Sequence, residues 1–599
     1  MTSGRDARAL SAEWLDRFEH ALGSADIESV IGLFEEKGFW RDLVAFTWNI
    51  KTLEGREAIA AMLRANLEHI SPSNWRIEKA VNLSSGVHEA WLGFETGAGR
   101  GRGIVRLRDG RAWTLLTTLE ELKGFEERKG KLRPRGVEHG VYRREKNWLE
   151  MKEAETAALG FEAQPYCVIV GGGQGGIALG ARLRQLQVPT IILEKNKRPG
   201  DSWRNRYRSL VLHDPVWYDH LPYIPFPENW PIFAPKDKIG DWLEMYVKVM
   251  ELNYWTSTEC VRAAYDEVSA EWSVDVQREG KRVTLRPKHL VFATGAYGPP
   301  MEAPLPGLKL FAGECYHSSR YVSGEAYVGK NCVVLGGNSS AHDIAADLWQ
   351  YGAKVTMIQR SPTTVVRSET LMELGFEALY SEKAIDAGIT TADADLIFAA
   401  TPFRVMPEEQ IKLYRQISDR DHAFYTRLKK SGFLVDFGED ESGLMMKAIR
   451  TGSGYYIDVG ASELIANRSI AVKSGVEIRQ VKRNMVELTD GSELPADVIV
   501  MATGFQSMNR AVAPIISEEV ADKVGTCWGL GSGVHNDPGP WEGEPRNMWK
   551  PTQQPGLWFH GGNLHLSRHY SLLLALQLKA RMERLATPVY GLQPVHHKS

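Results

Sequence analysis

Tyr166-Cys167-Val168-Ile169-Val170-Gly171-Gly172-Gly173-Gln174-Gly175-Gly176-Ile177-Ala178-Leu179 decides the fold. Its first five residues are mostly apolar and read as a strand buried on both faces. A glycine-rich turn follows, and then the start of a helix. Gly171, Gly173 and Gly176 have the GxGxxG spacing of a dinucleotide-binding turn, with Gln174 inside it. The first glycine makes the tight turn, the second lets a pyrophosphate approach the backbone, and the third lets helix and strand pack closely. Phosphate then meets the free N–H groups and the dipole of the helix start. The next strand, Thr190-Ile191-Ile192-Leu193, ends in Glu194, 18 residues beyond Gly176. A carboxylate about 20 residues on is what ribose hydroxyls require.

The pattern recurs downstream. Asn331-Cys332-Val333-Val334-Leu335 reads as a second buried strand, followed by Gly336-Gly337-Asn338-Ser339-Ser340-Ala341 and a helix through Ile344 and Leu348. Gly336 keeps the first position of the fingerprint. Asn338 takes the second, where its tolerance of left-handed backbone stands in for glycine's. Ala341 takes the third, an accepted variant. The following strand, Val355-Thr356-Met357-Ile358-Gln359, ends in Arg360 rather than in an acid. A guanidinium suits a 2′-phosphate. One acid-ended and one arginine-ended unit predict two different dinucleotides, FAD on the first and NADPH on the second. That pair defines a flavoprotein oxidoreductase.

The 599 residues outline several domains. Lys plus Arg is 72 and Asp plus Glu is 75, so the net charge is −3 and no basic surface for nucleic acid is expected. With 43% apolar and 25% charged residues, wholesale disorder is excluded. No apolar run reaches the ~18 residues of a membrane span. Residues 1–8 lack an apolar signal core, so the cytoplasm is the expected compartment. The five cysteines never form CxxC, which argues against a disulfide framework, a zinc ribbon and a dithiol reductase; no metal site is expected.

Apolar periodicity predicts two helices over 10–34 and a third over 55–69, then strands near 75–77, 90–94 and 104–107. Asp109-Gly110 signals a hairpin into Trp113-Thr114-Leu115-Leu116. The glycine-rich stretch 97–103 lacks the Lys-Ser/Thr of a phosphate loop and reads as a flexible turn. The expected organisation is an α+β unit at 10–122, a charged linker at 123–160, the first part of an FAD domain at 161–300, an NADP domain with an insertion at 301–475, and the second FAD part at 476–592.

Between the two nucleotide units stands Phe311-Ala312-Gly313-Glu314-Cys315-Tyr316-His317-Ser318-Ser319-Arg320-Tyr321, which fits FxGxxxHxxx(F/Y) at Phe311, Gly313, His317 and Tyr321. With both fingerprints beside it, most of the chain resembles the flavin-containing monooxygenases, the class B flavoprotein monooxygenases. Gly200-Asp201-Ser202-Trp203, Ala293-Thr294-Gly295, Ala502-Thr503-Gly504 and Gly561-Gly562-Asn563 match further segments of that family. The resemblance implies an α/β fold of two Rossmann-like domains, the NADPH domain inserted into the FAD domain. It adds Trp203, Thr503 and Gly504 to the cofactor contacts. It implies that NADPH reduces FAD, that O₂ forms a C4a-(hydro)peroxyflavin, and that one oxygen atom passes to a small-molecule substrate, at nitrogen or sulfur.

Tyr207-Arg208-Ser209-Leu210-Val211-Leu212-His213-Asp214-Pro215 resembles the family's YxxLxxNxP segment, with His213 in place of the asparagine, as in the YUCCA-like branch. An imidazole there can hydrogen-bond the cofactors and can titrate. Asp214 stands where Baeyer–Villiger enzymes keep a flavin-side aspartate. His213, Asp214 and His317 are the candidate catalytic residues, with His317 expected chiefly to link the domains. Baeyer–Villiger-type or YUCCA-like oxygenation of a ketone or α-keto acid is the alternative, and NADPH oxidation without oxygen transfer the second. Residues 10–122 resemble the SnoaL/NTF2-like α+β cone, through the helix pair and the Gly55-Arg56-Glu57-Ala58-Ile59 helix start. Asp42, His69 and His88 are the groups a catalytic cone would use. An accessory or dimerising role is expected instead, which leaves a homodimer open.

Overall fold

The computed structural model describes residues 7–595 except 84–85, 137–138, 141–145 and 296. The apolar stripe at Trp14, Phe18 and Leu22 lets the helix Ala7–Gly23 bury one face. The helix Ile27–Gly32 is capped by Asp26, whose carboxylate accepts from the Ser29 N–H at 3.0 Å. With the helix Gly55–Ile70 they pack on a six-stranded sheet. Its order is Ile50–Glu54, Phe34–Leu43, Arg111–Leu122, Gly99–Arg108, His88–Glu95, Ser73–Asn82. Stacked rings fill the interior: Trp14 on Phe18 at 4.6 Å, Phe34 on Trp40 at 5.8 Å, Trp75 on Phe94 at 4.6 Å.

Two sequence expectations fail here for physical reasons. Phe34 continues an apolar helical stripe, yet it begins a strand. That strand shifts register between Phe34 and Phe39, and such a bulge hides the alternation that marks a strand. The stretch 97–103, read as a flexible turn, supplies the strand Gly99–Arg108. Its alternate glycines share one face. A Cβ on Gly101 would lie 2.4 Å from the Phe94 ring, and one on Gly103 would lie 2.5 Å from the Leu116 carbonyl oxygen. Glycine is there for space.

Two five-stranded parallel sheets follow. The first runs Leu557–Phe559, His289–Phe292, Cys167–Val170, Thr190–Leu193, Tyr254–Trp255. The second runs Glu314–His317, Val498–Met501, Asn331–Leu335, Lys354–Gln359, Ala471–Ser474. The second sheet therefore lies, in sequence, inside the first. The strand Val498–Met501, which the pattern groups with the return segment after 475, sits at the heart of the second sheet. The second unit thus extends to about residue 504, not 475. The C-terminal strand and the helix Leu564–Met582, which packs on Gln174–Gln185, return to the first unit. Residues 363–458 add a small parallel sheet, Val435–Asp436, Thr363–Arg367, Tyr455–Asp458, and several helices. The charged segment after 122 is in part helical, over Trp148–Ala158, with an Asn147/Glu150 capping box. Among the described residues no helix is long and apolar enough to cross a membrane.

The N-terminal unit shares one apolar core with the first nucleotide unit. Polar anchors reinforce the join. Arg41 holds Glu544 through two hydrogen bonds of 2.6 and 2.7 Å, and donates to the Ala399 carbonyl at 2.7 Å. Both side chains are buried, at 1% and 0% exposure. Arg102 reaches Asp393 at 3.3 Å and Arg106 reaches Thr401 Oγ1 at 2.9 Å. Three arginines thus grip residues 393–401 from one side. From the other side, Arg568 holds Asp395 at 2.8 and 2.9 Å. A buried ion pair gives little net stability, but removing one partner is costly. Arg41→Ala is expected to destabilise the chain by about 3–5 kcal/mol, because it leaves Glu544 charged in the core. Guanidinium unfolding measures this, and a wild-type midpoint would contradict it.

Candidate functional site

The two nucleotide turns are built alike. Gly171 has φ +110°, and a Cβ there would lie 2.4 Å from the Ala293 carbonyl oxygen. Gly336 has φ +141°, and a Cβ there would lie 2.5 Å from the Ala502 carbonyl oxygen. Each first glycine is pressed against its own Ala-Thr-Gly segment, which explains why that tripeptide occurs twice. Gly176 sits so close to Gly171 that a Cβ would come within 2.0 Å of its carbonyl oxygen. Ala341 occupies the matching place and is buried.

Gly173 is different: a Cβ would meet only Ser202 Oγ, at 3.6 Å. Ser202 Oγ is buried without a hydrogen-bond partner. Open space at a helix start beside an orphaned hydroxyl fits a phosphate group. Gln174 joins this wall, its amide nitrogen donating to the Gly562 carbonyl at 3.1 Å and its oxygen accepting from the Trp203 indole at 3.2 Å. Glu194 is buried at the end of its strand, with one oxygen accepting from Gly172 N–H at 3.0 Å and the other from Asn196 at 2.7 and 2.8 Å. One lone pair of the carboxylate stays available to a hydroxyl.

Asn338 needs a correction. It is extended, at φ −100° and ψ −172°, as is Gly173 at φ −76° and ψ −169°. The second fingerprint position demands space, not left-handed backbone. The Asn338 side chain makes no capping bond. Ser339 donates to the Tyr455 carbonyl at 3.1 Å, and Ser340 is half-buried beside it. Arg360 is largely exposed at the end of its strand, 3.5 Å from Glu477. An exposed pair of that kind holds an arginine weakly.

The segment 311–321 proves to be a strut. A Cβ on Gly313 would lie 2.1 Å from the Asp497 carbonyl oxygen. Tyr321 donates to Asp347 at 2.6 Å. His317 is buried, with Nε2 bonded to the Gly504 carbonyl at 2.9 Å and Nδ1 accepting from the Ser319 N–H at 3.1 Å. Both ring nitrogens are engaged. This contact ties the segment to Gly504, while Thr503 donates to the Met301 carbonyl.

His213 and Asp214 lie on an irregular segment held by Leu212 N–H donating to the Ala234 carbonyl at 2.9 Å. His213 Nε2 is 3.5 Å from Asp343 of the second unit. Burial alone would lower the His213 pKa; Asp343, aided by Asp214 and Asp458, outweighs burial and raises it. Burial pushes Asp214 up to about 6 against the pull of His213. The neighbouring Asp219 is fully buried with one oxygen unpartnered, and burial together with Asp214 drives it far above the carboxylate range. Tyr218 links this segment to the C-terminal loop: its hydroxyl accepts from Asn563 at 3.3 Å and its ring stacks on His565 at 4.4 Å. The first turn, the Asn563 loop, the His213 segment and the second unit therefore meet at one seam. Sequence reading missed Ser202, Tyr207, Asp343 and Asp219. Ser202 and Tyr207 lie within motifs already quoted, but Asp343 and Asp219 carry no local signal.

In the N-terminal unit the possible cone residues are apart. Asp42 is buried and accepts from Thr117, Thr47 and the Phe46 N–H. His69 is exposed, and His88 bonds Asn82 at 2.6 Å.

Residues 168–374 match the family profile described as pyridine nucleotide-disulphide oxidoreductase. The chain is 30% identical over 344 residues to indole-3-pyruvate monooxygenase YUCCA1 of Oryza sativa subsp. japonica, covering 57% of this chain and 77% of that protein. It is 29% identical over 346 residues to the probable indole-3-pyruvate monooxygenase YUCCA8 of Arabidopsis thaliana, covering 57% and 74%. A solved structure of cyclohexanone monooxygenase with epsilon-caprolactone shares the fold, with a TM-score of 0.50 at 20% identity over 70% of this chain and 88% of that one. The chain belongs to the flavin-dependent monooxygenase family. Members of this family use FAD and NADPH.

Gly173→Ala is expected to cut bound flavin several-fold while leaving the melting temperature of flavin-free protein unchanged, since its methyl meets only Ser202. Gly176→Ala is expected to lower that melting temperature. Visible absorbance per chain and thermal melts separate the two, and full flavin content in Gly173→Ala would contradict the phosphate assignment.

Proposed function

We propose that this chain is an NADPH-dependent FAD monooxygenase that transfers one atom of O₂ to a small carbonyl compound, a ketone or an α-keto acid. The observation that carries the reading is the duplicated turn: two strand–turn–helix units, one acid-ended and one arginine-ended, meet at a seam lined by His213 and Asp214. FAD would be held by Gly171, Gly173, Gln174, Gly176, Glu194, Ser202 and Trp203. NADPH would be held by Gly336, Asn338, Ser339, Ser340, Ala341, Arg360, Thr503 and Gly504. Bound together, the two cofactors would supply hydride transfer and the activation of O₂.

The chain's own residues do the rest. The strut at 311–321 and the Asn563 loop keep the two turns in register. The buried groups around Tyr218 and Asp219 exclude water, which would otherwise divert the oxidant. His213 sits among acids that favour its charged form. Attack on a carbonyl carbon builds negative charge on the carbonyl oxygen, and a placed cation stabilises that charge. Oxygenation at nitrogen or sulfur builds no such oxyanion. The names of the curated relatives, indole-3-pyruvate monooxygenases, also support the carbonyl branch over the nitrogen or sulfur acceptor expected from sequence. The N-terminal unit, packed with aromatic rings and gripping residues 393–401, serves as a scaffold for the insertion rather than as a second catalytic centre.

Incubation with ¹⁸O₂ and NADPH, offering an α-keto acid, a cyclic ketone, a tertiary amine and a thioether, tests the reading. Label is expected in the keto acid or ketone product. Label confined to an N-oxide or sulfoxide would move the acceptor to the heteroatom, and NADPH oxidation yielding only peroxide would overturn oxygen transfer. Arg360→Ala is expected to raise the KM for NADPH about 10-fold, equivalent to roughly 1.4 kcal/mol, and to leave that for NADH nearly unchanged. Equal effects on both would contradict a 2′-phosphate contact.

A further inference from the structure

The segment bearing His213 leads away from the first unit, while the helix Ser339–Gln350 opens at the second dinucleotide turn. One carboxylate joins them. Asp343 Oδ2 accepts from the Tyr207 hydroxyl at 2.6 Å and lies 3.5 Å from His213 Nε2. The His213 and Asp343 side chains are only 16% and 11% exposed. The residue before Asp343, His342, bonds the Asn338 carbonyl through Nδ1 at 3.1 Å and stacks on Tyr456 at 4.0 Å. Tyr456 in turn stands edge-on to His213 at 6.1 Å. The start of this helix cannot shift without carrying Asp343 with it.

Resting on the reading above, we propose that Asp343 is a positioning residue: its carboxylate, clamped by the Tyr207 hydroxyl, orients the His213 ring across the seam and ties that ring to the second dinucleotide turn. With Nε2 toward Asp343, the Nδ1 edge is the one left for a bound molecule. The groups facing His213 are Asp343 and His342 from the helix, Asp458 and Tyr456 from the strand Tyr455–Asp458, and Asp214 from its own segment. Acids dominate that set and hold the ring charged to higher pH than an ordinary histidine. Loss of Asp343 therefore moves the titration of His213 downward.

Diethyl pyrocarbonate acylates only neutral imidazole, so its rate at His213, read by peptide mass spectrometry across pH, reports the titration on the protein as purified. The wild-type midpoint is expected above the ordinary histidine value. Asp343→Asn should lower it by about 1 unit, as for loss of an opposite charge within ~4–6 Å, and Asp343→Glu should restore most of that shift. An unchanged midpoint in Asp343→Asn, with wild-type melting and flavin content, overturns the proposal. If that variant does not fold, Tyr207→Phe removes the clamp alone and should move the midpoint, since the same Asp343 oxygen serves both groups; no shift there overturns it equally. The titration needs neither NADPH nor substrate, so absence of oxygenase activity would sink the proposed function and leave this result standing.

Discussion

A backbone carbonyl pressed against a glycine at positive φ is the constraint on which both nucleotide units depend. At Gly171 the neighbour is Ala293, and at Gly336 it is Ala502. No side chain fits between them, so the chain must turn sharply as each strand ends. The sharp turn aims the following helix start, with its unsatisfied N–H groups, at the space above the sheet. Because the second sheet is inserted between strands of the first, the two helix starts belong to one folded body. Everything at the seam then follows from how neighbouring segments fill the gap.

The filling is mostly polar and mostly paired. His317 is spent on Gly504 and Ser319, and Asp395 on Arg568. Such groups are expensive to bury alone and become structural once satisfied. The exceptions are informative. Ser202 and Asp219 have buried atoms without partners, and Asp214 is held near pKa 6 beside a charged-prone histidine. Perturbed and unpaired groups of this kind are found at functional sites in general.

Much of this was legible in the sequence because it is local. The two strand–turn–helix units, the Glu194 and Arg360 strand ends, and the Asp109-Gly110 hairpin all depend on residues a few places apart. What was not legible depends on distant partners. Nothing in Val498-Ile499-Val500-Met501 says that it pairs with Asn331–Leu335 and Glu314–His317. The glycines of Gly99–Arg108 read as a loop because the Phe94 ring and the carbonyls that crowd them lie on other strands. Nothing in the helix start around Asp343 says that Tyr207 and His213 meet it. The grip of Arg41 on Glu544 spans 503 residues of sequence. In each case the role comes from what the topology sets against the segment.

On the proposed function, the seam couples NADPH oxidation to oxygen transfer. The direct measurement reduces the protein with one equivalent of NADPH without air and mixes it with oxygenated buffer and an α-keto acid. Oxygenated product and hydrogen peroxide are then counted per NADPH consumed. The account predicts close to one product per NADPH and little peroxide. One peroxide per NADPH, whatever carbonyl, amine or thioether substrate is present, would contradict it.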